Sequence, residues 1–209
     1  MTRQYWKDDV EHVFEGNVVF GGTVSGMQRS YLARESETEI VLEPEGWKKH
    51  NDPSANLPAS SASADLAILG TTYGTDAIYI GAGDVKQVSI TRYARRSVRL
   101  PPEYEAGQTV KIRVRAGMIT NEADTSCSVD LEVRKIDENT GVGSDLQTLA
   151  AQDMNSTTFA DFDFTVTPTT LAPGDLLDVR LTIASVDSAT GDPVDPAVAK
   201  TTLLVDTRG

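Results

Sequence analysis

The sequence predicts an all-β fold, an antiparallel β-sandwich of jelly-roll-like type preceded by an extended amino-terminal β-arm. Three observations predict it. Apolar and polar residues alternate with period two through most of the carboxyl-terminal three-quarters of the chain, the mark of strands buried on one face. Turn-forming residues separate these runs at the intervals a sandwich needs. About eight such runs lie between residues 64 and 209, enough for a double sheet.

The runs can be taken in order. Weaker alternation marks residues 77–80, 88–93 and 97–100. In TVKIRVRA, Val110, Ile112, Val114 and Ala116 share one face, and Lys111, Arg113 and Arg115 the other. In SVDLEVRK, Val129, Leu131 and Val133 alternate with Asp130, Glu132 and Arg134. If these two strands pair, cations lie opposite carboxylates, each pair contributing roughly 0.2–1 kcal/mol. The segment 145–155 reads as strand more than helix. FDFTV places Phe162, Phe164 and Val166 together, and LLDVRLTIA does the same for Leu177, Val179, Leu181 and Ile183. Residues 201–205 close the pattern. The connections LPPEYEAGQ, DENTGVGSD, TPTTLAPGD and DSATGDPVDP carry the Pro, Gly and Asn of turns. An immunoglobulin-type core would carry a Cys…Trp…Cys signature, which is missing.

Residues 1–63 have a different character. Phe14, Val18, Phe20 and Val24 share parity in FEGNVVFGGTVSGM, punctuated by Gly16, Gly21, Gly22 and Gly26. A lone strand cannot bury these side chains, each worth about 1.5–3 kcal/mol when buried. The arm therefore either packs against other chains, which closely spaced glycines favour by letting backbones approach, or folds back onto the sandwich. ETEIVLEPEGW reads as a strand ending in a turn near Glu43–Gly46. NDPSANLPASSAS, residues 51–63, reads as a linker that could span roughly 40 Å at about 3.3 Å per residue. The expected organisation is an arm over residues 1–50, a linker over 51–63 and a sandwich over 64–209.

Composition excludes several functions. The chain has 209 residues and a net charge of −12, which opposes binding to nucleic-acid phosphates. No run approaches the roughly 18–20 apolar residues of a membrane-spanning helix, and the first twenty residues are too charged for a signal peptide. Cys127 is the one cysteine; its parity with Val129 and Leu131 makes it a small buried residue, not a nucleophile. His12 and His50 have no neighbouring Ser or Cys in a nucleophile context, so neither supports a catalytic triad. Asp187, Asp192 and Asp195 crowd one loop, and Asp137, Glu138 and Asp145 another. Neither has the spacing of a calcium loop, and both read as solvated tips. Thirteen aromatics (two Trp, six Tyr, five Phe) are scattered without the exposed cluster of a sugar face. No cofactor or metal site is expected.

GNVVFGGTVSG (16–26), followed by a Pro/Ser-rich linker and a sandwich, resembles tailed-bacteriophage virion proteins, whose glycine-punctuated amino-terminal strands trimerise or attach to the capsid or tail. RYARRSVRLPPEYEAGQTVKIRVRAGM (92–118), VGSDLQTLAAQDMNS (142–156) and TPTTLAPGDLLDVRLTIA (167–184) are similar in general pattern to phage and prophage structural proteins, over roughly residues 55–209. The resemblance implies a non-enzymatic capsid cement or decoration protein. It would be a homotrimer made in the host cytoplasm, residing on the virion surface, with the major capsid protein as partner and Phe14, Val18, Phe20 and Val24 at the interface. The alternative of another class is a receptor- or glycan-binding tip of a phage fibre, with function in the loops 70–84, 137–145 and 187–196. A polysaccharide depolymerase, the third, would need a pair of catalytic carboxylates. No catalytic motif carries the resemblance.

Overall fold

The alternation becomes two sheets in the computed structural model, which describes residues 37–60, 64–70, 72–120, 125–137, 139, 141–188 and 191–207. In chain order the strands begin with β1 (Glu37–Val41), β2 (Lys48–Lys49), β3 (Ala67–Leu69) and β4 (Tyr79–Gly81). Next come β5 (Ser89–Arg99), β6 (Val110–Thr120), β7 (Thr125–Ile136) and β8 (Val142–Asp145). The last are β9 (Gln152–Asp153), β10 (Ala160–Val166), β11 (Leu176–Asp187) and β12 (Asp195–Asp206). The first sheet has the order β10-β6-β12-β4-β3, with β1 also on β12. The second has the order β2-β5-β11-β7-β8, with β9 also on β7. All strand pairs are antiparallel. From β5 to β7 and from β10 to β12 the chain changes sheet at each long strand, so consecutive long strands lie in opposite sheets. The expected antiparallel, jelly-roll-like sandwich is therefore present; the arm residues Phe14, Val18, Phe20 and Val24 lie outside the described residues.

The core forms where alternation placed it. Val110, Ile112 and Val114 of β6, Val129, Leu131 and Val133 of β7, Phe164 of β10, and Leu177, Val179, Leu181 and Ile183 of β11 are all essentially inaccessible. Cys127 joins them, and burial pushes its thiol up to about 12. Turns follow the glycines: Gly107 and Gly174 hold φ of 81° and 80°, the left-handed region that glycine enters without a Cβ penalty.

Two expectations change. The Lys111–Arg113–Arg115 face does not meet the carboxylates of the following strand, because β6 and β7 lie in different sheets. Its partners are on β10: Arg113 grips Asp163 through two bonds of 2.6 and 2.8 Å, and Arg115 reaches Asp161 at 3.2 Å. The segment 37–60 is also no arm or linker. β1 pairs with residues 202–206, β2 pairs with Arg95 and Ala94, and Leu42, Trp47 and Leu57 enter the core. A 3-10 turn over Pro44–Gly46 brings Trp47 to the sheet edge. Three isolated apolar anchors in a polar stretch are enough to hold a segment that has no period of its own. Among the described residues no helix is long and apolar enough to cross a membrane.

Candidate functional site

The outer face of the second sheet concentrates charge in one cross-strand row. Strand register sets Lys48 of β2 opposite Arg95 of β5, Arg95 opposite Arg180 of β11, and Arg180 opposite Glu132 of β7. Period two fixes this: Ala94, Leu181 and Leu131 point into the core, so their neighbours must point out. Three cations thus stand side by side, an arrangement that is destabilising for directly opposed like charges.

Carboxylates from this row and the next partly neutralise them. Asp178 takes Arg95 through two bonds of 2.7 and 2.6 Å, the fork geometry of a guanidinium on a carboxylate. Glu132 is shared: one oxygen accepts from Arg134 and the other pairs with Arg180. One carboxylate therefore serves two guanidiniums. Arg134 also donates to the Gly143 carbonyl at 3.1 Å, tying the β8 hairpin to this edge. Between these groups lies a groove of about 210 Å³ lined by His50, Arg95, Glu132, Arg134, Val142, Asp178 and Arg180.

Tyr93 packs against two of these lining residues. Its ring lies 5.0 Å from the His50 ring at 36°, and the Arg180 guanidinium carbon sits 5.3 Å from its centroid, within cation–π range. The His50 backbone N–H donates to Asp65 Oδ1 at 2.9 Å, fixing the residue after β2 against the sheet. Burial, then the positive charges of Arg180 and Arg95, hold the His50 imidazole below its usual value, against the opposing pull of Asp65 and Asp178. His50 Nδ1 and Arg180 Nε are buried without a hydrogen-bond partner among the described residues.

Asp178 and Glu132 each spend both oxygens on guanidinium groups. The acidic loops differ from the expectation. Asp187 and Asp195 are only 2% and 9% exposed, not solvated tips. Asp187 accepts the Gln87 N–H at 3.1 Å, and Asp195 accepts the Tyr79 hydroxyl at 2.9 Å. Burial pushes the Asp195 carboxyl and the Tyr79 hydroxyl upward. No cluster of three or more metal-ligating side chains exists among the described residues.

Of the loops expected to carry recognition, residues 70–84 present Tyr73 fully exposed, beside a groove of about 450 Å³ lined by Ile78, Tyr79, Ile119 and Phe159. Of the loop 137–145, Val142 and Asp145 pair with β7, and Val142 lines the charged groove. The charged row itself escaped sequence reasoning. The signal was partial: Arg180 and Glu132 are polar positions of clear alternating strands, but Lys48 and His50 sit where no period exists.

No protein-family model matches the sequence, and no curated protein matches it. Solved structures similar to this chain include the CBM22-1 xylan-binding domain of Paenibacillus barcinonensis Xyn10C, at 12% identity and a TM-score of 0.41, covering 78% of this chain and 88% of that one. The carboxyl-terminal family 22 carbohydrate-binding module of Clostridium thermocellum Xyn10B is similar at 12% identity and 0.40, covering 79% and 89%. A non-crystalline-cellulose-specific module, CBM28, is similar at 12% identity and 0.39, covering 78% and 86%.

Proposed function

We propose that the chain is a non-catalytic recognition module that binds a glycan in the charged groove on the outer face of its second sheet. One observation carries this reading: paired guanidiniums and carboxylates line a shallow groove together with His50, whose ring packs against Tyr93. Sugar hydroxyls donate and accept at once, so a surface that alternates fixed donors with fixed acceptors can engage neighbouring hydroxyls. Arg95 and Asp178, or Arg134 and Glu132, offer such donor–acceptor pairs in place. The residues stand on strands locked by the core, so little ordering is lost on binding.

The setting belongs to the same proposal. The glycine-punctuated stretch 16–26 resembles phage virion proteins, and a glycan-reading sandwich behind it describes the tip of a fibre contacting a host surface. Capsid cement acting as a trimer rests on the same resemblance and on an interface through Phe14, Val18, Phe20 and Val24, which lie outside the described residues. A glycan array probed with the full-length chain tests the reading. Binding is expected, and it should fall at least tenfold in Arg95→Ala without a change in the circular dichroism spectrum. Absence of binding, together with density at capsid-subunit junctions in an electron-cryomicroscopy map of a virion carrying it, would restore the cement reading.

A further inference from the structure

We propose that the sugar this groove selects is anionic, bearing a carboxylate or a sulfate over the paired Arg95 and Arg180; this rests on the glycan reading above. The Lys48–Arg95–Arg180 row is the reason. Three cations occupy directly opposed positions on adjacent strands, an arrangement that works against the sheet unless something negative covers it. The counter-charges within the groove fall short by one: Arg95, Arg134 and Arg180 line it, against Asp178 and Glu132 alone. Asp178 is used by Arg95, and Glu132 is divided between two guanidiniums.

Other carboxylates near the face are directed elsewhere. Asp65 accepts the His50 N–H, Asp145 accepts the Val133 and Gln147 N–H groups, and Asp130 accepts the Leu131 N–H. Asp130 lies in the neighbouring row with Tyr93 and Thr182 and makes no ion pair with Arg180 at contact distance. The net positive field within the groove is felt by His50, where Arg180 and Arg95 outweigh Asp65 and Asp178. On a chain of net charge −12, a locally cationic groove runs against composition. Guanidinium forks bind carboxylate and sulfate oxygens in a planar, bidentate manner, so Arg180, which lines the groove and shares its one carboxylate, Glu132, with Arg134, is the residue we assign to the ligand's charge.

Isothermal titration of the full-length chain with two matched pairs tests this. One pair is oligogalacturonate against its methyl ester, and the other is a sulfated galactan oligosaccharide against its desulfated form. The anionic member of at least one pair should bind tenfold or more tightly, weaken as salt rises, and lose that preference in Arg180→Gln. Glu132→Gln removes the shared counter-charge and should tighten the anionic ligand several-fold; a merely structural role for Glu132 would weaken it. Equal affinity within both pairs overturns the charge assignment and leaves the glycan reading standing, provided binding still falls in Arg95→Ala. Binding that is indifferent to both arginine variants, or absent for all four oligosaccharides, overturns the charge assignment and the groove reading together.

Discussion

Replacing Trp47 with Ala tests whether residues 37–60 are structural. Trp47 is completely buried within the main core cluster and lies between the Pro44–Gly46 turn and β2. Deleting a buried Trp side chain costs about 3–5 kcal/mol through lost transfer energy and the cavity left behind. One contribution opposes this. The indole Nε1 is buried without a partner, and removing an unsatisfied donor returns about 1–3 kcal/mol. The expected net loss, taking the middle of each range, is therefore about 2 kcal/mol. For a chain of this size each kcal/mol lowers Tm by about 2–4 °C, so Tm should drop by about 4–8 °C. Urea unfolding followed by far-ultraviolet circular dichroism, with calorimetry for Tm, measures both quantities without depending on the deleted fluorophore. A Trp47→Ala loss under about 0.5 kcal/mol would mean that this segment is an appendage after all, and that the sandwich begins later.

Three further outcomes follow from the geometry. Cys127, whose thiol is pushed up to about 12 by burial, should resist iodoacetamide at neutral pH in the native protein and react fully in concentrated guanidinium, as mass spectrometry reports. His50 has a folded-state pKa below its unfolded 6.5, so the unfolded chain binds the proton more readily. Stability contributed by the neutral imidazole is present above pH 6.5 and is lost as pH falls below it; urea midpoints should decline over that window in the native chain and less steeply in His50→Gln. Gly70→Ala and Gly74→Ala both place a side chain at positive φ, 73° and 81°, which costs roughly 1–2 kcal/mol. Only at Gly70 would the Cβ lie 1.9 Å from the Ala77 carbonyl oxygen, while at Gly74 the space is open. Gly70→Ala should therefore be the more destabilising of the two by at least about 1 kcal/mol, read as a difference in urea midpoint.

How much of this was legible depended on burial symmetry. β6, β7, β10 and β11 each have one buried and one partly solvated face, so their sequences alternate and could be read residue by residue. β5 reads as two weak runs because Arg96 interrupts the pattern: its guanidinium extends to the Glu43 carbonyl beside Gly46, a contact no local sequence can announce. β12 fades for the opposite reason. Thr201, Leu203 and Val205 are buried, but so are Thr202 and Leu204, and burial on both parities erases the alternation. Leu42, Trp47 and Leu57 are single anchors without any period.

The groove was hidden at a different level. Alternation assigns each residue to a face, but it says nothing of which strand lies alongside. Lys48, Arg95, Glu132 and Arg180 come from four strands that neighbour one another only after the chain has crossed between sheets several times. The sequence-adjacent pairing of the β6 cations with the β7 carboxylates fails for the same reason. Once topology is fixed, however, the row has little freedom. A slip of one residue in β11 would exchange Arg180 for Leu181 and bury charge in the core. The interior residues that set the register therefore also set the spacing of the cations outside. The groove is as rigid as the core beneath it, so Leu181→Ala or Val179→Ala should weaken the proposed glycan binding, read on the same array, at temperatures where circular dichroism still reports a folded sandwich.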